Sequence, residues 1–196
     1  MIKDHSLLAQ LKEHTQGLHD SVEEAMNSEA LMHPDFSKEE YRLLLKRLWW
    51  AHSTLEPALE DCNDIMQYPG LKAKQRLNKR SLLQKDLEEL GVSPEELPAT
   101  EAASLSAEEC WGALYVLEGS TLGGAMIYKK LSEQEGTDFP LRFYGAYGRD
   151  TGAMWSSFRK IFTEKTSPPE EWNDPVIKGA EKAYRHFLEA AEQFKA

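Results

Sequence analysis

The sequence predicts an all-α protein of one domain, a helical bundle over residues 1–196. Apolar residues recur at three- and four-residue steps along most of the chain, which is the period of an amphipathic helix. No pair of segments has the two-residue alternation of neighbouring strands. No internal repeat or low-complexity segment divides the chain, and its 41% of hydrophobic residues are enough to bury one core.

Two amphipathic helices are predicted in the first third of the chain. The first covers residues 4–27, with an apolar stripe of Leu7, Leu11, Thr15, Leu18, Val22 and Met26. The second begins at Ser37, because a serine followed three residues later by Glu40 has the pattern of a capping box. We expect it to run to about Met66, with Pro57 as a point at which it can kink.

Four further helices are predicted in the remainder of the chain. One follows the turn YPG, carries Leu77, Leu82, Leu83, Leu87 and Leu90, and is stopped by Gly91. Ser106 caps a long helix. After the glycine- and aromatic-rich loop at 137–150, a short helix carries Trp155, Phe158 and Phe162. The last begins with Asp174 as N-cap and Pro175 at the first position, and its stripe is Val176, Ala180, Ala183, Phe187, Ala190 and Phe194.

Composition and charge exclude several classes of function. The formal net charge is −10, so the chain has no basic footprint for nucleic acid and is repelled by anionic membranes. No window approaches the length of an apolar membrane span, and the first residues lack the apolar run of a signal peptide. Cys62 and Cys110 have no CxxC spacing, so we expect two small buried thiols in a reduced, cytoplasmic protein.

Residues 115–127, YVLEGSTLGGAMI, place three glycines inside a predicted helix. Each costs a helix interior about 1 kcal/mol relative to alanine. Successive residues of an α-helix are rotated by 100° about its axis. On such a helical wheel, one arc of roughly 140° contains Gly112, Val116, Gly119, Ser120, Gly123, Gly124 and Ile127. Such a face admits either a broad, flat ligand or a closely packed neighbouring helix. The segment has neither a P-loop ending nor the GxGxxG order of a dinucleotide site.

His19 is the leading candidate for a metal ligand. Glu23 lies one helical turn after it and can accept a hydrogen bond from the imidazole Nδ1, which leaves Nε2 free for a metal. Lys12 lies seven residues earlier, about 10 Å along the same face, an offset that suits a ligand with a central metal and carboxylates at its rim. A single helical histidine is more often a surface or core residue, and His186 is a rival ligand. The chain has no ExxH or HExxH motif, so the usual di-iron and zinc sets are missing.

Together these segments resemble the heme oxygenase family, particularly its short bacterial members. LKEHTQGLHDSVEE is similar to the family's proximal helix, and YVLEGSTLGGAMI to the bacterial form of its distal helix. The resemblance also covers YRLLLKRLWWAHSTLEPALE, KRSLLQKDLEELG and FYGAYGRDTGAMWSSF, and therefore most of the chain. It implies a heme-oxygenase-like bundle with a proximal helix and a distal helix bent at its glycines.

The resemblance implies roles for individual residues. His19 would be the axial iron ligand, Lys12 a partner of a heme propionate, and Glu23 the carboxylate that steadies the imidazole. The remaining heme-binding residues would be Val22, Val116, Gly119, Ser120, Gly123 and Gly124. Of these, Gly119, Ser120 and Gly123 would act in catalysis, by making room for bound oxygen and holding water near it.

This sequence departs from the family pattern at two positions of the distal helix. Ser120 stands where mammalian members hold an aspartate, and Ala125 where bacterial relatives often carry arginine. Because Ala125 supplies no cation at the rim, the propionates need others. The residues in question are Lys129, Arg159 and Lys160, and the sequence does not choose among them.

The implied activity is oxidative cleavage of heme to biliverdin, carbon monoxide and ferrous iron. Heme b would be both substrate and cofactor, with O2 and an external electron donor, a separate reductase or ferredoxin, because the chain has no flavin or iron–sulfur motif. A bilin-using photoreceptor is a further expected partner. A non-catalytic heme carrier or sensor on the same scaffold is the alternative. Heme-free relatives, such as thiaminase-like hydrolases and di-iron oxidases, are a third class.

Overall fold

The computed structural model describes residues 6–33, 35–134, 138–167 and 169–195, and in these ranges all regular structure is helical. The α-helices are α1 (Leu7–Ala25), α2 (Lys38–Glu60), α3 (Asn63–Met66), α4 (Ala73–Arg76), α5 (Lys79–Glu89), α6 (Ala107–Ser132), α7 (Thr151–Lys165) and α8 (Asn173–Gln193). Short 3-10 helices occur at Ser28–Met32, Pro94–Glu96, Gly148–Asp150 and Pro169–Glu171. The predicted all-α class is confirmed.

Side-chain caps define where the three longest predicted helices begin. Ser6 accepts a hydrogen bond from the backbone of Ala9 and starts α1; the predicted start at residue 4 lies outside the described residues. The capping box of α2 is confirmed, with Ser37 and Glu40 each bonding the other's backbone N–H. Ser106 caps α6 as predicted, because its hydroxyl accepts from the backbone of Glu109.

Two predicted helices are each broken into two pieces. α2 ends at Glu60 rather than near Met66, because Cys62 takes an extended conformation and caps the separate helix α3. The helix predicted after YPG consists of α4 and α5, with the buried Leu77 in the break between them. Its predicted stop is confirmed, since Gly91 has a φ of +80°, a conformation that favours glycine.

The start of α8 differs from the prediction. Trp172, not Asp174, is the N-cap, and Asp174 and Pro175 lie inside the first turn. Proline is tolerated there because the first N–H groups of a helix have no partner within the helix. The predicted apolar stripe is confirmed from Val176 to Ala190, and all five of its residues in that range are buried.

α8 is the element on which the two helices of interest meet. It packs against α1, α2 and, most extensively, α6. The close approach of α6 and α8 depends on two glycines: a Cβ on Gly112 would lie 1.9 Å from the Val176 carbonyl oxygen, and one on Gly179 would lie 2.0 Å from that of Glu109. None of the described helices combines the length and the apolar composition that a membrane span requires.

Candidate functional site

The face of small residues predicted on α6 is divided into two parts with different roles. At Gly112 the alternative of close helix packing is correct, and that residue offers no open surface. Two turns later the space is open: a Cβ on Gly119 would meet only Trp155 Cη2, at 3.9 Å, and one on Gly123 would have no atom within 4 Å. Gly124 is buried, and a Cβ there would lie 3.4 Å from Tyr144. The open part therefore lies around Gly119 and Gly123.

The hydroxyl groups of this segment bond to the backbone of their own helix. Ser120 Oγ donates to the Leu117 carbonyl at 2.8 Å, and Thr121 Oγ1 donates to the Glu118 carbonyl at 2.6 Å. Such bonds satisfy the hydroxyl locally. Ser120 is exposed beside the two open glycines, so the segment presents a low, side-chain-poor surface. Val116, one turn earlier, is only 5% exposed and packs in the core.

The His19 imidazole projects from α1 with 46% of its side chain exposed. Its Nδ1 lies 3.5 Å from an Asp20 carboxylate oxygen and 3.7 Å from a Glu23 oxygen. Both distances exceed those of a direct N–H···O bond, so the two carboxylates act by charge or through a bridging water. Because both contacts are made at Nδ1, Nε2 is left to bind a ligand. The sequence analysis named Glu23, but not Asp20, as a neighbour of Nδ1.

These three side chains have a second property that the sequence did not establish. Among the described residues, His19, Asp20 and Glu23 are the one group of histidine, cysteine and acidic side chains close enough to hold a metal ion, with ligand atoms within 4.8 Å of one another. All three are exposed. A metal bound at His19 therefore lies at an accessible face of α1.

Tyr184 of α8 connects α1 and α6. Its ring meets the His19 ring edge-on, with centroids 6.2 Å apart and planes at 76°. Burial, followed by the nearby Tyr115 of α6, raises the pKa of Tyr184 to about 12, although a hydrogen bond with Thr15 of α1 opposes this. Tyr184 thus touches the predicted ligand from the central helix. Sequence spacing gave no signal for it, because the contact joins opposite ends of the chain.

A buried charge network lies directly before the open glycines. Glu118 is fully buried and forms ion pairs with Arg76 and with Lys79, the latter at 3.2 Å. The Tyr147 hydroxyl accepts a hydrogen bond from Lys79 at 3.0 Å and donates one to Glu118 at 2.7 Å. Burial lowers the pKa of the Lys79 ammonium, and the negative charge of Glu118 opposes that shift.

This network fixes the position of α6 at the residue before Gly119. Arg76 also donates to the Leu71 carbonyl at 2.6 Å and to the Met154 carbonyl at 3.0 Å, so it joins the start of α4, the middle of α6 and the start of α7. The sequence analysis identified none of the four side chains as functional. The sequence offered one signal for this network, a glutamate on the buried side of a glycine-rich helix. It could not predict the partners of that glutamate, because they come from distant segments.

Two of the cations predicted to hold carboxylates, Lys12 and Arg159, lie near the N-terminal half of α1. Lys12 is exposed, and Leu8, one turn before it, lines an open cavity of about 490 Å³ together with Arg159 and Lys160 of α7. Burial raises the pKa of Tyr115, and the nearby positive charge of Arg159 opposes that rise. Arg159 is therefore close to both α1 and α6.

The remaining candidate side chains are two lysines and the rival histidine. Lys129 is exposed on the last turns of α6, and Lys160 lies 4.0 Å from Glu164 at the surface. The rival ligand His186 packs beside Trp50 of α2, with ring centroids 6.4 Å apart and its Nδ1 3.0 Å from Glu189. Of the two histidines, His19 is the more exposed.

Comparison with known proteins shows to which family the chain belongs. The family model described as heme oxygenase matches residues 5–193, nearly the whole chain. The chain belongs to the heme oxygenase family. The resemblance inferred from the proximal and distal segments is thus confirmed. Heme oxygenases are oxidoreductases that degrade heme, with biliverdin as product, and this is the function of the chain.

Two bacterial heme oxygenases are similar to the chain in sequence. The heme oxygenase of Xanthomonas campestris is 28% identical over 160 residues, which cover 81% of this chain and 93% of that protein. Heme oxygenase PigA of Pseudomonas aeruginosa is 28% identical over 162 residues, which cover 82% of this chain and 80% of that protein.

Solved heme oxygenase structures share the fold. The NO- and CO-bound heme oxygenase from Neisseria meningitidis superposes with a TM-score of 0.79 at 23% identity, covering 97% of this chain and 92% of that one. Heme oxygenase 2 from Chlamydomonas reinhardtii, without heme, has a TM-score of 0.75 at 15% identity, covering 97% and 98%. Heme oxygenase-1 from Synechocystis, in complex with heme, has a TM-score of 0.70 at 16% identity, covering 97% and 92%.

Proposed function

We propose that heme binds between α1 and α6, with its iron on His19 Nε2 and its other face against Gly119, Ser120 and Gly123. One observation carries this proposal: a Cβ has open space at Gly123, while a Cβ at Gly112 of the same helix would clash with α8. A helix interior tolerates glycines at a cost in stability, so their presence at an open face is explained by a ligand that needs the room.

The surroundings of His19 fit an axial ligand. Asp20 and Glu23 place negative charge near Nδ1, which favours the tautomer with the proton on Nδ1 and makes Nε2 a better donor to iron. Tyr184 contacts the ring from α8 and limits its rotation. When bound, heme supplies the iron that binds O2 and the ring carbon that is oxidised.

The distal side would control oxygen without an acidic side chain. The Ser120 hydroxyl bonds to the Leu117 carbonyl, so it is committed to the helix backbone. We assign to Gly119, Ser120 and Gly123 a catalytic role that rests on their shape: they leave space for O2 and for an ordered water that donates the proton. The buried pairing of Glu118 with Arg76 would hold this segment at a fixed depth.

The rim of the heme would be held by cations at the start of α1 and on α7. We assign the propionates to Lys12 and Arg159, because Leu8, one turn from Lys12, and Arg159 border the same cavity. The partly buried Val22 and the buried Val116 and Gly124 would complete the surroundings of the ring. Lys160 borders the same cavity beside Arg159, whereas Lys129 lies on the last turns of α6.

The co-substrates and partners follow from the chemistry. We propose O2 as oxidant and a separate reductase or ferredoxin as electron donor, since the sequence has no electron-carrier motif. We further propose a cytoplasmic location, which two cysteines as free thiols support. A bilin-using photoreceptor would then be a consumer of the product.

The test is a hemin titration followed by turnover. Wild-type protein should give a Soret band and, with reductant and O2, convert it to the biliverdin spectrum. His19→Ala should lose turnover and regain part of it with added imidazole. The matched control is His14→Ala, because His14 is an exposed histidine on the same helix and should be dispensable. Normal turnover by His19→Ala would refute the axial assignment, and a Soret band without any biliverdin would favour the carrier.

A further inference from the structure

Two cysteines that are far apart in the sequence meet where α3 packs against α6. Cys62 is the N-cap residue of α3, and Cys110 lies in the first turn of α6. The side chains of the two thiols interact with each other across this junction. The sequence analysis interpreted them as two separate buried thiols, because nothing in their spacing predicted that they meet.

Neighbouring side chains hold the two segments together independently of the sulfur atoms. Trp111, next to Cys110, donates a hydrogen bond from its indole nitrogen to Asp64 at 2.8 Å. Asp64 follows Cys62 by two residues and also accepts from Lys165 at 2.8 Å. Trp111 is fully buried. The pair of thiols is therefore part of a packed junction and not a chance approach of two mobile side chains.

The two thiols have different properties. Cys62 is partly exposed, whereas Cys110 is 2% exposed. The neighbouring Cys110 thiol, with smaller contributions from the backbone of Ile65 and Asp64, outweighs burial and lowers the pKa of Cys62 to about 6. The same contact and burial raise the pKa of Cys110. A reachable thiolate beside a protected thiol is the arrangement of a peroxide-reactive cysteine with its resolving partner.

We propose that Cys62 and Cys110 are a modification site at which a peroxide drives formation of a reversible intramolecular disulfide. The Cys62 thiolate attacks one oxygen of hydrogen peroxide, the O–O bond breaks, and the departing hydroxide takes a proton and leaves as water. Cys62 is then a sulfenic acid. The Cys110 sulfur attacks the Cys62 sulfur, the S–O bond breaks, and the hydroxyl leaves as water with the Cys110 proton. In sum, two thiols are oxidised by two electrons and one peroxide is reduced to two waters.

The disulfide would join α3 to α6 covalently on the N-terminal side of Gly119. It uses no residue assigned to heme binding, so it is independent of the proposed function. A small dithiol such as dithiothreitol would reverse it by thiol–disulfide exchange.

The experiment treats the full chain, without heme, with one equivalent of hydrogen peroxide at neutral pH. Free thiols are then counted with Ellman's reagent after denaturation, and the intact mass and the peptide masses are measured without reduction. We expect loss of both thiols, a mass lower by two hydrogens, and a peptide pair joined through Cys62 and Cys110. Dithiothreitol should restore both thiols.

Two serine variants separate the steps. Cys110→Ser should stop at the sulfenic acid on Cys62, trapped as a dimedone adduct, whereas Cys62→Ser should keep the Cys110 thiol intact. Circular dichroism of both variants verifies folding; if Cys110→Ser is unfolded, Cys110→Ala replaces it. Wild-type protein that keeps both thiols, or that forms only disulfide-linked dimers, would overturn the proposal. In wild type, the alkylation rate of Cys62 by iodoacetamide should also reach its half-maximum near pH 6.

Discussion

Gly112 of α6 and Val176 of α8 are so close that a Cβ on the glycine would lie 1.9 Å from the valine carbonyl oxygen. Gly123 of the same helix faces open space. One helix therefore uses glycine for two purposes, backbone packing at its start and an uncovered surface near its middle. The two purposes are separable by mutation.

Alanine at these two glycines should have opposite effects on the free protein. Gly112→Ala overpacks the junction with α8, which costs about 1–3 kcal/mol, or a fall in Tm of about 2–12 °C for a chain of this size. Gly123→Ala meets no atom and gains helix propensity of up to about 1 kcal/mol, so its Tm should rise by up to about 4 °C. Calorimetry without heme measures both.

In a heme titration, Gly123→Ala should be the more damaging of the two substitutions. Gly123→Ala should raise the Kd for hemin and slow turnover, since the added methyl group occupies the face proposed for heme. Folded Gly112→Ala should bind hemin nearly as wild type does, because its defect is at the junction with α8. If Gly123→Ala bound and turned over heme normally, the proposed distal face would be wrong.

The two carboxylates beside His19 should share the task of holding its Nδ1 proton. Asp20 and Glu23 lie at 3.5 and 3.7 Å, so neither dominates, and Asp20→Asn or Glu23→Gln alone should change the Kd for hemin by about fivefold or less. The double variant should lower the iron–histidine stretching frequency of the reduced complex, measured by resonance Raman spectroscopy. Glu24→Gln is the control, being an exposed glutamate one residue further along α1. An unchanged frequency in the double variant would show that neither carboxylate acts on the imidazole.

Removing the charge of Glu118 should be strongly destabilising. Glu118→Gln leaves Arg76 and Lys79 buried without their common anion. Breaking a buried ion pair typically costs about 3–5 kcal/mol, equivalent here to a fall in Tm of about 6–20 °C. Tyr147→Phe removes two hydrogen bonds but no charge and should cost less, so it is the matched comparison. If the two variants lost the same stability, the network would not be governed by charge.

Asp64 should contribute stability that disappears in acid. Burial raises the pKa of Asp64, but hydrogen bonds from Lys165 and Trp111 outweigh it and hold the pKa below its ordinary value. The folded pKa is thus lower than the unfolded one, so the contribution is present above the unfolded value and is lost as pH falls through the folded one.

We therefore expect the stability difference between wild type and Asp64→Asn to be largest near neutral pH and to shrink below about pH 4. Urea unfolding at a series of pH values measures this difference. Asp61→Asn, at an exposed aspartate of the same segment, is the control variant. A difference that stayed constant down to pH 2 would mean that the Asp64 carboxylate is not held in its charged form.

Local patterns in the sequence were sufficient for the all-helical class, for the caps of α2 and α6 and for the two helices proposed to hold the heme. The capping box of α2, the serine cap of α6, the stop at Gly91 and the stripe of α8 depend on residues within a few turns of one another, which is why spacing predicts them. The prediction of one continuous helix after YPG was wrong at Leu77. A short break costs little free energy in local structure, so its position is decided by the surrounding packing.

By itself the sequence determined an all-helical chain of the heme oxygenase family, with a histidine on one helix and a glycine-rich face on another. Only the tertiary structure decided which glycines face open space and which contact α8. It also brought Tyr184 to His19, Arg76 and Lys79 to Glu118, and Cys62 to Cys110. The physical reason is that helical periodicity fixes the direction of each side chain about its own axis, whereas the partner it meets depends on how distant helices pack together.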